Sequence, residues 1–600
     1  MPRGSRSQTR LVLEVLARVS PLASLVIPEI LNEILRHTDL PALAQTAQTS
    51  RRYNKLSLDW LWKSSDVYPL LELLAPLTLV DDQWHFSTPL FVVDWGRFNN
   101  YARRIRHLDY CDTEKHQGLS AIPSPQLFSE IFLHRPTSDG ALLPNLAKIE
   151  WSCKNAQSLP HLLPFLSSTV KTLHLTLDAQ INETCAELLK SLTRRHVSLE
   201  HFTLCIREYD ELLLNSLPAF LASQLELGVA RLPPCSATRE VVEVLGRLPL
   251  LREYVTWDFV SYRAPMDSDT GMQFDWEAGR FEHLEELSFT TTSLTRASRV
   301  VEKRCSPVLR TLMLTCRSTL EIGAFRSFSA TVAATYPNIT AIHILLFSDS
   351  ASPQPEPIGF EDIRPLLQCT ALSTLRIGHN LPMSYTHDDV ALMGAAWPRM
   401  RTLQLCEDPT SHEGCGQSLQ TVLAFAQAFP KLETLAICIT FGSVANAQPI
   451  SQSLPVAEWD VLDFGTSPTE NDDILAAVNR VALFLTRILR PGVSIQSGRG
   501  RAHVRTTAST TETEAEDETR EIFWSDVCST VRAMHLGRKE LEEENRSLSS
   551  KNRELLEEIS RLKCRDLEAE NRDILALNKN LVQEVERLRT RIPELDHALL

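Results

Sequence analysis

Apolar residues recur along this chain in three rhythms, each confined to its own stretch. Between Leu25 and Trp62 they stand three and four apart, as Ile27, Ile30, Leu31, Ile34 and Leu35, then Leu40, Leu43, Ala44 and Ala47, then Tyr53, Leu56, Leu58, Leu61 and Trp62. Each set fits one face of a short helix. Pro28 suits a first turn, Glu29 places negative charge at the positive end of the dipole, and Asp39 has the side chain to cap a second helix. Helices this short are marginal alone and need one another or a partner.

From about Ile105 to Phe464 the rhythm becomes an apolar residue, two variable ones, a second apolar residue and then alternation. The clear copies are Val170-Lys-Thr-Leu-His-Leu175, Leu199-Glu-His-Phe-Thr-Leu204, Leu284-Glu-Glu-Leu-Ser-Phe289, Leu309-Arg-Thr-Leu-Met-Leu314, Met400-Arg-Thr-Leu-Gln-Leu405 and Leu432-Glu-Thr-Leu-Ala-Ile437. Leu372-Ser-Thr-Leu-Arg-Ile-Gly-His-Asn380 extends the pattern to an asparagine. Between copies, residues 183–193, 210–221, 238–248, 388–397 and 418–429 carry apolar positions at helical spacing. Several of these end in proline before the next strand, as in Trp397-Pro-Arg-Met400 and Phe429-Pro-Lys-Leu432, because proline cannot continue a helix. The period is irregular, roughly 24 to 33 residues, room for a strand, a helix and a return. Strand alternating with helix predicts an α/β fold. The arrangement expected is an open arc with parallel strands on one face and helices on the other; an ordinary α/β domain whose strands share a Leu-x-x-Leu pattern is the alternative.

The third rhythm is seven. Leu541, Leu548, Leu555 and Leu562 are so spaced, and so are Leu567, Ile574, Leu581 and Leu588. With these as d positions of a coiled coil, the a positions are Asn545, Asn552 and Ile559, then Asn571, Asn578 and Val585. Asparagine at a favours a parallel two-stranded register at a cost in stability, which predicts a weak parallel homodimer, against the alternative of a lone amphipathic helix. The five-residue step from Leu562 to Leu567 means that the coil breaks there or the seam shifts by one residue, and Pro593 is expected to stop the helix. Residues before Leu541 lack the basic helix of a zipper transcription factor.

Composition narrows the function. Six hundred residues, 43% of them hydrophobic, are ample for more than one packed domain, and a net charge of −14 argues against a general nucleic-acid binder. The 13 cysteines are scattered without Cys-x-x-Cys, which fits free thiols in a reducing compartment. Cys205, Cys316, Cys406 and Cys438 follow strand copies and read as small buried residues; Cys406, His412 and Cys415 are too few for a zinc finger, and no metal or cofactor is expected. No apolar run reaches membrane-spanning length, and the arginines of the first twenty residues read as an N-terminal arm, so cytoplasm or nucleus is the expected compartment. Walker, Gly-x-Ser-x-Gly, His-Glu-x-x-His and dinucleotide signatures are absent from the sequence, which points away from an enzyme.

In residue types, order and spacing, Leu25-Val-Ile-Pro-Glu-Ile-Leu-Asn-Glu-Ile-Leu-Arg36 with Asp39-Leu-Pro-Ala-Leu43, Arg51-Arg-Tyr53 and Trp60-Leu-Trp62 resembles an F-box. It departs from that family's pattern at Ile27, Thr49-Ser50 and Tyr53. The middle region resembles a leucine-rich repeat, and Phe360 to Leu405, with Arg364-Pro-Leu-Leu367 and His387-Asp-Asp389, is similar to the repeat region of F-box proteins expanded in mushroom-forming fungi. The resemblance implies a substrate-recognition adaptor for ubiquitin-dependent protein degradation. In that reading Ile27, Pro28, Ile30, Leu31, Ile34, Leu35, Leu40, Leu43, Tyr53, Leu61 and Trp62 bind the Skp-type adaptor of a cullin-RING ubiquitin ligase, and the arc binds a target protein. A non-ligase interaction scaffold, dimerising through the coil, is the alternative. The expected division is an arm (1–20), an F-box-like all-α domain (21–70), a degenerate repeat arc (71–492), a disordered acidic Ser/Thr-rich linker (493–520) and a coiled coil (521–592).

Overall fold

The computed structural model describes residues 28–112, 121–136, 141–177, 182–206, 211–256, 281–303, 306–317, 323–347, 357–409, 412, 415–440, 457–468, 474–497 and 511–598. The arm expected at 1–20 and Ile27 lie outside the described residues.

Three helices come first: α1 (Pro28–Arg36), α2 (Leu40–Thr49) and α3 (Arg51–Leu61). Their ends are set by side chains. Asp39 Oδ1 accepts from the Ala42 amide at 2.9 Å, and Ser50 Oγ accepts from the Tyr53 amide at 3.2 Å, each satisfying a backbone donor that a helix start leaves open. The helical run stops at Trp62, whose amide still bonds the Leu58 carbonyl. Residues 64–66, expected in the helical domain, instead form the first strand of the main sheet.

That sheet has fifteen strands, all pairs parallel, with strand order following chain order from Ser64–Asp66 through His107–Cys111, Lys148–Cys153 and Thr172–Leu177 to Val461–Asp463 and Ser494–Gln496. The register is constant. Leu173, Phe202, Ala230, Tyr254, Leu287, Leu312, Ile342, Leu375, Leu403 and Leu435 are direct cross-strand partners in succession, and each is buried. The Leu-x-x-Leu motif builds this geometry. Its first apolar residue, such as Val170, Leu199, Leu284 or Leu372, is buried just ahead of the strand, and its second enters the column. Between them one residue per repeat donates its backbone N–H to the equivalent carbonyl of the preceding repeat: Lys171 receives from Glu200, which receives from Gly228, and so on through Arg252, Glu285, Arg310, Thr340, Ser373, Arg401, Glu433 and Asp460, each bond 2.7–2.8 Å.

Alternation along the strands leaves one face half exposed and buries the other, as in Lys148–Cys153, Thr172–Leu177 and Thr374–Gly378. Parallel sheets covered by helices on both faces are buried on both, so these strands are covered on one side, whereas Glu253–Thr256 and Glu286–Thr291 are buried on both. The connecting helices Asn182–Arg194, Glu211–Ala222, Arg239–Leu245, His387–Ala396 and Leu419–Ala428 fall within a residue or a few of the expected spans, and helices of adjacent repeats pack on each other. A feature not expected is a second, three-stranded sheet: Leu77–Val80 turns through Asp81 and Asp82, both at positive φ, into antiparallel Gln83–Phe86, with Ile122–Pro123 parallel beside it.

The chain divides into two compact units, 1–470 with 493–521, and 471–492 with 522–600. The second contains the helix Ile474–Ile488 and most of one long helix, Thr511–Ala598. Two expectations are corrected here. The linker expected at 493–520 is shortened at both ends, by the strand Ser494–Gln496 and by helix from Thr511 onward; residues 498–510 lie outside the described residues. At the step from Leu562 to Leu567, where a break in the coil and a shifted seam are both open, the helix is continuous. It also passes Pro593 and ends at Ala598, since proline removes one backbone donor and a long helix can lose one bond.

Candidate functional site

The three N-terminal helices sort their apolar residues into two groups. Leu31, Leu35 and Leu43 are the buried centre, and Tyr53, Leu56, Trp60 and Leu61 pack around them half buried. Trp60 Nε1 donates to Asn32 Oδ1 at 2.8 Å and Asn54 Nδ2 donates to the Ala47 carbonyl at 2.8 Å, which ties α3 to α1 and to α2. The other group faces outward: Ile30 is 55% exposed, Ile34 40% and Leu40 64%. Ile30 and Ile34, four residues apart, lie on one face of α1. Of the eleven residues expected to bind an adaptor, then, Leu31, Leu35 and Leu43 hold the helices together. Ile30, Ile34 and Leu40 stand free to make a contact. Tyr53, Leu61 and Trp62 are half buried, Pro28 opens α1, and Ile27 is outside the described residues.

The module is braced on the chain that follows it. The Trp62 ring lies 4.7 Å from that of Tyr101 on the helix Trp95–Ala102, and Arg104 pairs with Asp59 while donating to the Lys55 carbonyl at 3.1 Å. None of these contacts uses Ile30, Ile34 or Leu40.

A second candidate surface is the half-exposed face of the main sheet. Asp109, Glu150, His174 and Thr203 are direct cross-strand partners in one row, which continues through Arg231 and, further along, His343, Arg376 and Gln404. Several of its charged groups have partners: Arg231 Nε donates to Glu253 Oε1 at 2.6 Å, Lys148 pairs with Glu150, and Arg376 Nη2 lies 3.2 Å from Glu407 Oε1, while Asp109 is exposed to solvent. Burial lowers the pKa of His174 and of His343, the latter also through Arg376 beside it, so both sit on this face as neutral rings near pH 7. Glu286 is raised by burial and by the Glu253 carboxylate. The face therefore carries hydrogen-bonding groups on both sides of a middle stretch formed by Val255, Ser288 and Met313.

Cys205, Cys316, Cys406 and Cys438 are buried, the first two inside their strands and the last two just after theirs, and burial raises the thiols of Cys205, Cys316 and Cys406. Among the described residues no group of three or more His, Cys, Asp or Glu side chains is placed to hold a metal ion, and no helix is long and apolar enough to cross a membrane. The seam residues Leu541, Leu548, Leu555, Leu562, Leu567, Ile574 and Leu581 are all exposed on the long helix, which also carries the backbone of Leu588. Exposure could not be foreseen from the heptads, which fix only the shared face.

No family model matches the chain, and no curated protein matches it in sequence.

Proposed function

We propose that this protein is a substrate-recognition adaptor of a Skp-cullin-F-box type ubiquitin ligase, with the helices between Pro28 and Leu61 docking on the Skp-type subunit and the parallel sheet, read as a degenerate leucine-rich-repeat arc, holding a target protein. The observation that carries the reading is the exposure of Ile30 and Ile34 on a helix whose neighbouring Leu31 and Leu35 complete a packed core. Leaving two isoleucines half in water on a small, braced module is what a docking face requires, since burying the rest of each against a partner is worth roughly 1 kcal/mol. The sheet supports the second half, because its half-exposed face carries hydrogen-bonding side chains such as Glu150, His174, Thr176 and Arg376. The chain would contribute proximity, raising the effective concentration of target lysines near a charged conjugating enzyme, and would not itself be an enzyme. A compartment with the ligase, cytoplasm or nucleus, goes with this reading.

The alternative, a non-ligase interaction scaffold, is favoured by a different observation, the fully exposed heptad seam of the C-terminal helix.

Co-purification of the full chain with a fungal Skp-type adaptor distinguishes the two. The wild type should form a stable complex, and Ile30→Asp with Ile34→Asp should weaken it at least 100-fold while leaving the melting temperature nearly unchanged, because both residues are on the surface. A folded wild-type protein with no adaptor affinity would overturn the ligase reading and leave the scaffold.

A further inference from the structure

Among the described residues, the seam of the C-terminal helix is the longest row of exposed apolar side chains. Near its start Phe523, Trp524, Val527 and Val531 are buried, but every described side chain from Arg538 to Arg587 is exposed, leucine rows included. We propose that this face is covered by the same face of a second copy of this chain, lying parallel and in register from Leu541 to beyond Leu581. The proposal does not depend on adaptor binding.

Three features select this occupant and orientation. The a positions Asn545, Asn552, Asn571 and Asn578 each meet their own copy in a parallel, in-register pair, where one amide donates and the other accepts. Antiparallel pairing sets a positions against d positions, so the same four asparagines would be buried against leucine with no partner for their polar atoms. The flanking charges agree. In a parallel pair each g residue lies beside the e residue five places on in the other strand, which brings Glu558 to Lys563 and Glu584 to Arg589 as opposite charges and Leu577 to Val582 as an apolar pair. The remaining g residues Glu544, Lys551 and Glu570 meet Ser549, Leu556 and Leu575, so no like charges are opposed.

The third feature argues for a copy of this chain over another coiled-coil protein. The helix is continuous through the five-residue step from Leu562 to Leu567, and at about 100° per residue that step swings the seam by roughly 100° from where a four-residue step would leave it. A partner with unbroken heptads could follow one half of the seam and would lose the other. A second copy in register has the same step at the same level, and the two strands shift together.

The test is sedimentation equilibrium of the full-length protein at micromolar concentration. The wild type is expected at twice the chain mass, Leu548→Glu with Leu555→Glu at the chain mass, and Asn552→Leu should tighten association tenfold or more because it removes a polar layer. Strengthening by that last variant cannot come from misfolding. Wild-type protein at the chain mass, or a dimer that survives the glutamate pair, would overturn the proposal. Orientation is read by crosslinking with oxidised glutathione: Asn552→Cys should give a covalent dimer beyond the wild-type background. If instead the bond formed only when an Asn552→Cys chain was mixed with a Leu581→Cys chain, the strands would be antiparallel and the parallel assignment would be lost.

Discussion

Glu407 shows how one side chain can set the pH response of this fold. It follows Cys406, which is held at φ +48°, and Gly465 at the same positive φ lets the chain pass against the Glu407 carbonyl, where a Cβ could not fit. The side chain is 8% exposed with Arg376 Nη2 3.2 Å from Oε1. Burial nevertheless outweighs the cation and, helped by Asp408 and Asp463, pushes the carboxyl up to about 7. A folded-state pKa above the unfolded value means that the native state binds the proton more tightly. The stabilisation it brings is complete below about pH 4.5 and is lost as pH rises through about 7, on the order of 3 kcal/mol in all. Glu407→Gln, which cannot ionise, should therefore melt higher than wild type at pH 8 and lose that advantage by pH 4.5; equal differences at both pH values would refute the argument. At this scale the sequence told little. Ile30, Leu31, Ile34 and Leu35 read alike as apolar residues at helical spacing, yet two are exposed and two buried, because the side that packs is decided by α2 and α3.

At the scale of elements, the sequence was informative where the residue pattern was leucine-rich. Every copy of the Leu-x-x-Leu motif became a strand, and the helical stretches between them became helices. Strands such as His107–Cys111, Lys148–Cys153, Glu253–Thr256 and Ala341–Phe347 follow the same spacing with Ile105, Leu146, Leu251 and Ile339 ahead of them, but carry isoleucine, tryptophan or tyrosine where most of the clear copies have leucine. The apolar-x-x-apolar rhythm covers them as well, since burial needs bulk and not a particular side chain. The hairpin at 77–86 had no comparable signal, because two aspartates at positive φ are uncommon turn residues beside asparagine and glycine. Packing between elements adds a constraint of its own. Gly394 lies in the helix His387–Ala396 where a Cβ would come within 2.5 Å of the Ala428 carbonyl oxygen on the next repeat's helix. Alanine is better than glycine inside an isolated helix by about 1 kcal/mol, yet Gly394→Ala should destabilise the protein by about 1–3 kcal/mol, since backbone must move to admit the methyl. Urea denaturation would measure it, and a stabilised variant would mean that the helices can separate freely.

For the whole molecule, strand order in chain order makes stability local. Each strand of the main sheet bonds only to strands adjacent in the order, and the buried column passes from one to the next. Leu375→Ala removes a fully buried member of that column and should cost about 2–5 kcal/mol. The loss should be read most strongly by its neighbours. Hydrogen exchange is expected to speed up in 341–347, 374–378 and 402–405 and to change little in 148–153; uniform acceleration would show that the sheet opens as one unit.

The sequence by itself determined the kinds of element and their order wherever the apolar spacing was clear, because period is a local property that each segment carries alone. Tertiary structure decided which apolar residues became core and which stayed in water, that Glu407 would be buried beside Arg376, and that residues 64–66 would begin the sheet rather than end the helices. Those outcomes depend on which surfaces meet, and the residues that meet, such as Asp59 with Arg104 or Gly394 with Ala428, are far apart along the chain.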